Sequence, residues 1–105
     1  MRFEVTFRHL TPRPDLRDRA NELYGRLAHF LDPAARGMLI VDASNGRARA
    51  ELLVATGGET HKSVGEAGEL RAAVDAAFHG IVDPLRRHKE RRKDHGRGRT
   101  APSSF

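Results

Sequence analysis

The chain has 105 residues, the size of one small domain. Hydrophobic residues make up 38% and charged residues 31%, a polar composition that still permits a modest core. Cysteine is absent, which excludes disulfides, thiolate catalysis and cysteine-based metal sites. No apolar run approaches the ~20 residues of a membrane-spanning helix, and the first residues do not resemble a secretory signal. We therefore expect a cytoplasmic protein with no membrane partner.

The first third of the chain predicts a strand followed by a helix. Arg2–Arg8 alternates apolar and polar side chains, the pattern of a half-buried strand. Pro12 and Pro14 follow, and proline suits the first turn of a helix because the N–H that it lacks would be unpaired there. The helix is predicted from about Pro14 to Leu31 on an apolar stripe spaced by three and four residues: Leu16, Ala20, Leu23, Leu27, Phe30 and Leu31.

The remaining sequence predicts three strands and a second helix. Met38–Ala43 and Arg47–Thr56 are separated by the turn sequence Ser44-Asn45-Gly46, and Gly57-Gly58 predicts a tight hairpin. The next strand, at 59–64, is mostly polar, as expected of a strand at an edge or of one that keeps one face in water. A helix is predicted from about Glu66 on a second stripe: Leu70, Ala73, Val74, Ala77, Phe78, Ile81, Val82 and Leu85. The order β-α-β-β-β-α predicts an α/β two-layer sandwich, a four-stranded sheet with two helices on one face and its last three strands antiparallel.

The net charge of +5 is concentrated near the C-terminal end. Arg86–Arg99 contains eight basic and two acidic residues, a net +6, whereas the other 91 residues carry −1. This asymmetry indicates a polyanionic partner, nucleic acid before an anionic membrane. Because charge surrounds the helix after Leu85, its last two turns are predicted to project into solvent. The domain is predicted to span residues 1–93. Asp94–Phe105 is predicted to be a disordered basic tail.

The sequence offers no recognisable catalytic constellation or small-molecule site. Its six histidines lack the H-x-x-x-H spacing of a metal site on one helix face, and no serine lies in a G-x-S-x-G context. Gly57-Gly58 is not followed by the lysine of a phosphate loop. We therefore expect no enzyme, metal, cofactor or small-molecule substrate. The core helices and first strand account for Phe3, Phe7, Phe30 and Phe78, which leaves no aromatic platform, so RNA would be bound through phosphates and shape.

Five short motifs, in order and nearly without gaps, give the chain a family resemblance. They are Leu16-Arg17-Asp18, Arg26-Leu27 with Phe30 and Asp32, Gly57-Gly58-Glu59-Thr60-His61, Ala72-Ala73-Val74-Asp75, and Leu85-Arg86-Arg87-His88-Lys89. Over residues 2–95 the chain resembles the ribosome hibernation-promoting factors, also called sigma-54 modulation or ribosomal subunit interface proteins. It is similar to their short type, which has no C-terminal dimerisation domain. It departs from the family pattern at Leu23, Gly80 and Asp83-Pro84, and Gly80 with Pro84 predicts a kink in the second helix.

The resemblance implies a non-catalytic inhibitor of translation that acts in ribosome hibernation during stress. It implies binding to ribosomal RNA in the small-subunit channel that messenger and transfer RNA otherwise occupy, and we expect a monomer off the ribosome. The phosphate-contacting residues expected here are Arg26, Arg86, Arg87, His88, Lys89, Arg91, Arg92 and Lys93. Two alternatives remain open: a module with the same fold that binds a regulatory protein through its sheet, and a duplex-RNA binder with no role on the ribosome.

Overall fold

The computed structural model describes the backbone of residues 2–100 and the side chains of residues 2–92. Its elements follow the predicted order β-α-β-β-β-α. They are β1 (Arg2–Arg8), α1 (Pro14–Arg26), a 3₁₀ turn (Ala28–Phe30), β2 (Arg36–Ser44), β3 (Arg47–Thr56), β4 (Glu59–Ala67) and α2 (Leu70–Thr100). In the described residues no helix is both long enough and apolar enough to cross a membrane.

The four strands form one mixed sheet in the order β1-β2-β3-β4. β1 pairs parallel with β2, and α1 provides the crossover between them that a parallel pair requires. The other two pairings are antiparallel, as predicted, and β4 lies at the sheet edge. Both hairpins have positive φ angles at their two central residues, at Asn45-Gly46 and at Gly57-Gly58. Such turns match the twist of the flanking strands.

Both helices pack on the same face of the sheet, which confirms the two-layer architecture. The inward residues of β2 and β3 alternate with exposed or half-buried ones, and Leu39, Val41, Leu52 and Val54 are fully buried. Most of both predicted helix stripes is buried against them. Tyr24, which the sequence analysis did not assign to the core, is also buried, and its ring stacks on Phe3 with 4.4 Å between centroids.

Two helix boundaries differ from the prediction. α1 ends at Arg26 rather than Leu31, and the last apolar residues of its stripe continue in the 3₁₀ turn. Helical spacing still buries Leu27 and Phe30 because a 3₁₀ turn keeps side chains three residues apart on one side. α2 begins at Leu70 rather than near Glu66, because residues up to Ala67 are paired with β3.

The C-terminal end of α2 also differs from the expected tail. The backbone is helical through Thr100, so the helix passes Lys93, where the prediction ended it. Gly96 and Gly98 weaken helix propensity but do not remove a backbone donor, and the next proline is Pro102. The interior Pro84 does not end the helix either. The rest of the predicted tail, residues 101–105, lies outside the described residues.

Glycines let α2 approach the edge strand β4 closely. A Cβ on the buried Gly65 would clash with the main-chain oxygen of Ala73 and would lie 2.7 Å from the main-chain nitrogen of Ala77. A Cβ on Gly80 would lie 2.6 Å from the Ser63 hydroxyl. Both positions face strand–helix contacts, so Gly80 has a packing role.

We predict that Gly65→Ala destabilises the fold by about 1–3 kcal/mol, the usual cost of overpacking, because the clashing atoms belong to the α2 backbone and cannot rotate away. Chemical denaturation measured by circular dichroism would give the free energy of unfolding. Gly68→Ala is the matched control, since nothing lies within 4 Å of a Cβ there. Equal stability of the two variants would contradict the proposed close contact.

Candidate nucleic-acid interface

The first basic turn of α2 after Leu85 packs against the domain instead of projecting into solvent. His88 is only 3% exposed, and Lys89 Nζ donates to the main-chain oxygen of His29 at 2.5 Å. The prediction of a fully solvated segment is therefore wrong for this turn. His88 lies three residues after Leu85 and continues the buried stripe.

The β3–β4 hairpin receives these α2 side chains. Glu59, at the start of β4, accepts contacts from His88 Nδ1 at 3.0 Å and from Arg91 Nη2 at 3.2 Å, both on its Oε2. Gly57 lies directly beneath His88, since a Cβ at Gly57 would clash with His88 Nε2. Arg91 is thus directed back toward the hairpin, although its side chain is 60% exposed.

His61 completes a cluster with His88 and Glu59. The two imidazole rings meet edge to face, with 5.0 Å between centroids, and His61 Nε2 lies 3.7 Å from Glu59 Oε2. Burial lowers the pKa of His61 below its usual value, and the neighbouring His88 lowers it further.

Asp32 connects the loop before β2 to the same hairpin. Its Oδ2 accepts the Gly57 N–H at 2.7 Å and its Oδ1 accepts the Ala34 N–H at 2.9 Å. The Thr56 hydroxyl accepts the main-chain N–H of Asp32 at 3.1 Å. The bond from Gly57 is the largest cause of the lowered pKa of Asp32. Arg92 adds a distant ion pair, with 3.9 Å between Nη1 and Oδ2.

Three of the predicted RNA-contacting residues, one on α1 and two on α2, are exposed. Arg86 and Arg87 are exposed, and Arg86 is held by Asp83 at 2.9 Å. Arg26 is likewise exposed and bonded to Glu22 one helical turn earlier, at 2.6 Å. Exposed ion pairs contribute only about 0–1 kcal/mol. A phosphate can therefore replace these carboxylates at little cost.

A groove of about 690 Å³ runs between α1 and α2 and brings Arg26 and Arg86 together. Leu23 and Val82 are partly exposed in this interhelical groove. Its charged lining consists of Arg19, Arg26, Arg86 and Asp75, and His29 and His79 also lie along it. Arg19 is paired with Asp75 at 3.0 Å, across the two helices. The lining carries a net positive charge on the side of the helical layer that faces away from the sheet.

The predicted site residues therefore separate into two groups. Arg26, Arg86 and Arg87 are exposed on the helices, whereas His88, Lys89, Arg91 and Arg92 contact the hairpin, the 3₁₀ turn or the loop before β2. The side chain of Lys93 lies outside the described residues. Sequence analysis missed Arg19, His29 and His79 as members of the groove. Their positions directly beside the two apolar stripes could have indicated them, because residues next to a buried stripe lie at the rim of the contact between two packed helices.

The other face of the sheet is uncovered in the described residues. Met38 and Val64 are each 40% exposed there, among charged side chains such as Arg36 and Arg49. A shallow depression of about 410 Å³ lies beside Met38 and Leu53. This face is the surface that the alternative of a protein-binding module would use.

Comparisons with known proteins connect this architecture to one family. The model for the sigma 54 modulation protein / S30EA ribosomal protein family matches residues 3–93. The fold is similar to the N-terminal domain of Thermus thermophilus Protein Y, with a TM-score of 0.75 and 24% identity over 81% of this chain and 94% of that chain. It is also similar to a ribosomal subunit interface protein from Coxiella burnetii, with a TM-score of 0.74 and 18% identity over 86% and 99% of the two chains. No curated protein matches the sequence.

We predict that Asp32→Asn lowers the melting temperature at neutral pH, because the carboxylate that accepts the Gly57 and Ala34 N–H groups is lost. The folded-state pKa is depressed, so this contribution is complete above the unfolded value of about 3.9 and disappears as the pH falls through the lower folded-state value. Thermal melts from pH 7 to pH 2 should show the gap between variant and parent narrowing below about pH 4. Asp18→Asn, at an exposed position on α1, is the control. A gap that persists unchanged at low pH would contradict the assigned role.

Proposed function

This chain belongs to the sigma 54 modulation protein / S30EA ribosomal protein family, and on that basis we propose that it associates with the ribosome and inhibits translation. The inhibition requires no catalysis. The protein occupies the small-subunit channel that messenger and transfer RNA otherwise use, as a monomer that contacts ribosomal RNA. Its place of action is the cytoplasm, during the stress in which ribosomes are held inactive.

The observation that carries the proposal is the meeting of Arg26 and Arg86 in the interhelical groove. These residues are sixty positions apart in sequence, and the motifs around them predict both as phosphate contacts. Each guanidinium is exposed and bonded to an exposed carboxylate of its own helix. Guanidinium groups bind phosphate oxygens through two parallel hydrogen bonds. Two such groups on the rims of one groove suit an RNA backbone that passes along the helical layer.

The apolar floor of the groove is consistent with shape recognition rather than base reading. Leu23 and Val82 offer no hydrogen-bond donors, and the phenylalanines in and near the groove, Phe30 and Phe78, are buried. Stacking of single bases needs exposed aromatic rings. Binding through phosphates makes affinity depend on salt and not on base sequence.

The contacts of α2 with the β3–β4 hairpin support a separate role for Lys89, Arg91 and Arg92. Arg91 and Arg92 reach toward Glu59 and Asp32, so their positive charges lie at the hairpin end of α2, beyond the groove. Arg87 is exposed on the same turn as Arg86. We assign Arg26, Arg86 and Arg87 as primary phosphate contacts, and Lys89, Arg91 and Arg92 as a second basic patch. His88 supports the patch from within the core.

We predict that Arg26→Gln combined with Arg86→Gln weakens binding to purified small ribosomal subunits and reduces its salt dependence. If each arginine neutralises one phosphate, the slope of log affinity against log salt should become less steep by about 1.4–1.8, at 0.7–0.9 per contact. Filter binding or sedimentation between low and moderate salt would measure the slope. The same double variant should inhibit translation in a cell-free extract less strongly than the parent.

The matched control is Arg36→Gln combined with Arg49→Gln, which removes the same charge from the open face of the sheet. This control should keep the parental salt slope and the parental inhibition. If both double variants lose affinity equally, only net charge matters and the groove is not the interface. If the control alone loses association, the open face of the sheet and not the groove binds the ribosome. Failure of the parent protein to bind small subunits at low salt would favour the protein-binding alternative.

A further inference from the structure

The cluster of Glu59, His61 and His88 lies at the hairpin end of α2, apart from the interhelical groove. One candidate ligand atom from each residue lies within 4.8 Å of the other two. The hairpin supplies two of the three residues, at alternate positions of β4, and α2 supplies the third from 27 positions later in the chain. The close packing of Gly57 under His88 holds the two elements together at this point.

The spacing of the ligand atoms fits a small tetrahedral cation. Zinc binds imidazole nitrogen and carboxylate oxygen at about 2.0–2.2 Å, so neighbouring ligand atoms in a tetrahedral site lie roughly 3.3–3.5 Å apart. Glu59 Oε2 lies 3.0 Å from His88 Nδ1 and 3.7 Å from His61 Nε2. These two distances fall on either side of the ideal spacing, so small side-chain adjustments suffice to bring the atoms around one ion.

His61 also has a buried nitrogen that lacks a partner. Its Nε2 atom is buried and has no hydrogen-bond partner among the described residues. The same holds for His88 Nε2, but that atom lies against Gly57 and His88 faces Glu59 through Nδ1. Buried polar atoms are nearly always bonded, and an exception points to a missing ligand, ion or water. His61 Nε2 lies 3.7 Å from Glu59 Oε2. A cation bound to it would satisfy the buried nitrogen.

We propose that Glu59, His61 and His88 form a binding site for a divalent cation of the zinc class. The ligand atoms are Glu59 Oε2, His61 Nε2 and His88 Nδ1, and water completes the tetrahedron from the exposed side of Glu59. Two imidazoles and one carboxylate favour zinc over magnesium, which prefers oxygen ligands. The bound ion joins the β3–β4 hairpin to α2 and stabilises the position of the basic turn.

Arg91 limits the affinity of this site. Its guanidinium lies 3.2 Å from the same Glu59 oxygen, so a cation at that oxygen must displace the arginine or move it to Oε1. The positive charge of Arg91 also repels the ion. Its removal should therefore tighten metal binding, whereas removal of a ligand should weaken it. These opposite effects distinguish a specific site from general histidine binding.

The test uses the untagged full chain, stripped of metal with a chelator and then dialysed free of it. Isothermal titration with zinc chloride should give one tight site per chain, and the melting temperature should rise with zinc concentration. Magnesium chloride should produce neither effect. Cobalt(II) should develop the intense visible absorption of a tetrahedral complex. Absence of stoichiometric zinc binding by the folded parent protein would overturn the proposal.

Variants assign the ligands. Glu59→Gln and His61→Gln should each lower zinc affinity at least 10-fold and abolish the rise in melting temperature, while Arg91→Gln should raise zinc affinity. Glu59 is half exposed, so Glu59→Gln keeps the test valid if the buried histidine variant fails to fold. His9→Gln is the matched control, because His9 pairs with Asp42 at 2.8 Å on the surface outside the cluster. Zinc affinity that falls equally in His9→Gln, or that survives in Glu59→Gln and His61→Gln, would overturn the assignment.

Discussion

The contact between α2 and the β3–β4 hairpin is the constraint on which the other features of this domain depend. At Gly65 the helix backbone lies so close to β4 that no side chain fits between them. Eleven residues after Ala77, which contacts Gly65, His88 packs on Gly57 at the tip of the hairpin. Because two points of a helix define its axis, these contacts determine where the basic residues after Leu85 lie. They also place β4, an otherwise polar edge strand, under a helix that covers its inner side.

Asp32 extends this constraint to the other half of the domain. Its carboxylate bonds Gly57 and Ala34, so the hairpin tip is joined to the segment that enters β2. The 3₁₀ turn before it supplies the carbonyl that accepts Lys89. Three separate stretches of chain therefore meet around the first basic turn of α2. Lys89, Arg91 and Arg92 contact these stretches, whereas Arg26 and Arg86 are exposed at the groove between the helices.

The same architecture separates two kinds of chemistry on one small domain. The interhelical groove combines an apolar floor with exposed guanidinium groups, which suits a large polyanion bound through its phosphates. The cluster at the hairpin end combines buried imidazoles with one carboxylate, which suits a small cation. The two sites share α2 but use different sides of it, because Arg86 points to the groove between the helices and His88 to the hairpin.

The sequence by itself determined the fold class, the element order and the two helix stripes. Apolar residues that recur every two residues indicate the buried face of a strand, and those that recur every three to four indicate the buried face of a helix. It also indicated the basic end of the chain and the family. Its local signals could not determine how far the helices extend or how the end of α2 packs. Charge at Lys89, Arg91 and Arg92 predicted a solvated segment, yet partners at His29, Glu59 and Asp32 hold these residues against the domain. The cluster of Glu59, His61 and His88 has no sequence spacing that reveals it, because only tertiary contact between a hairpin and a helix brings those side chains together.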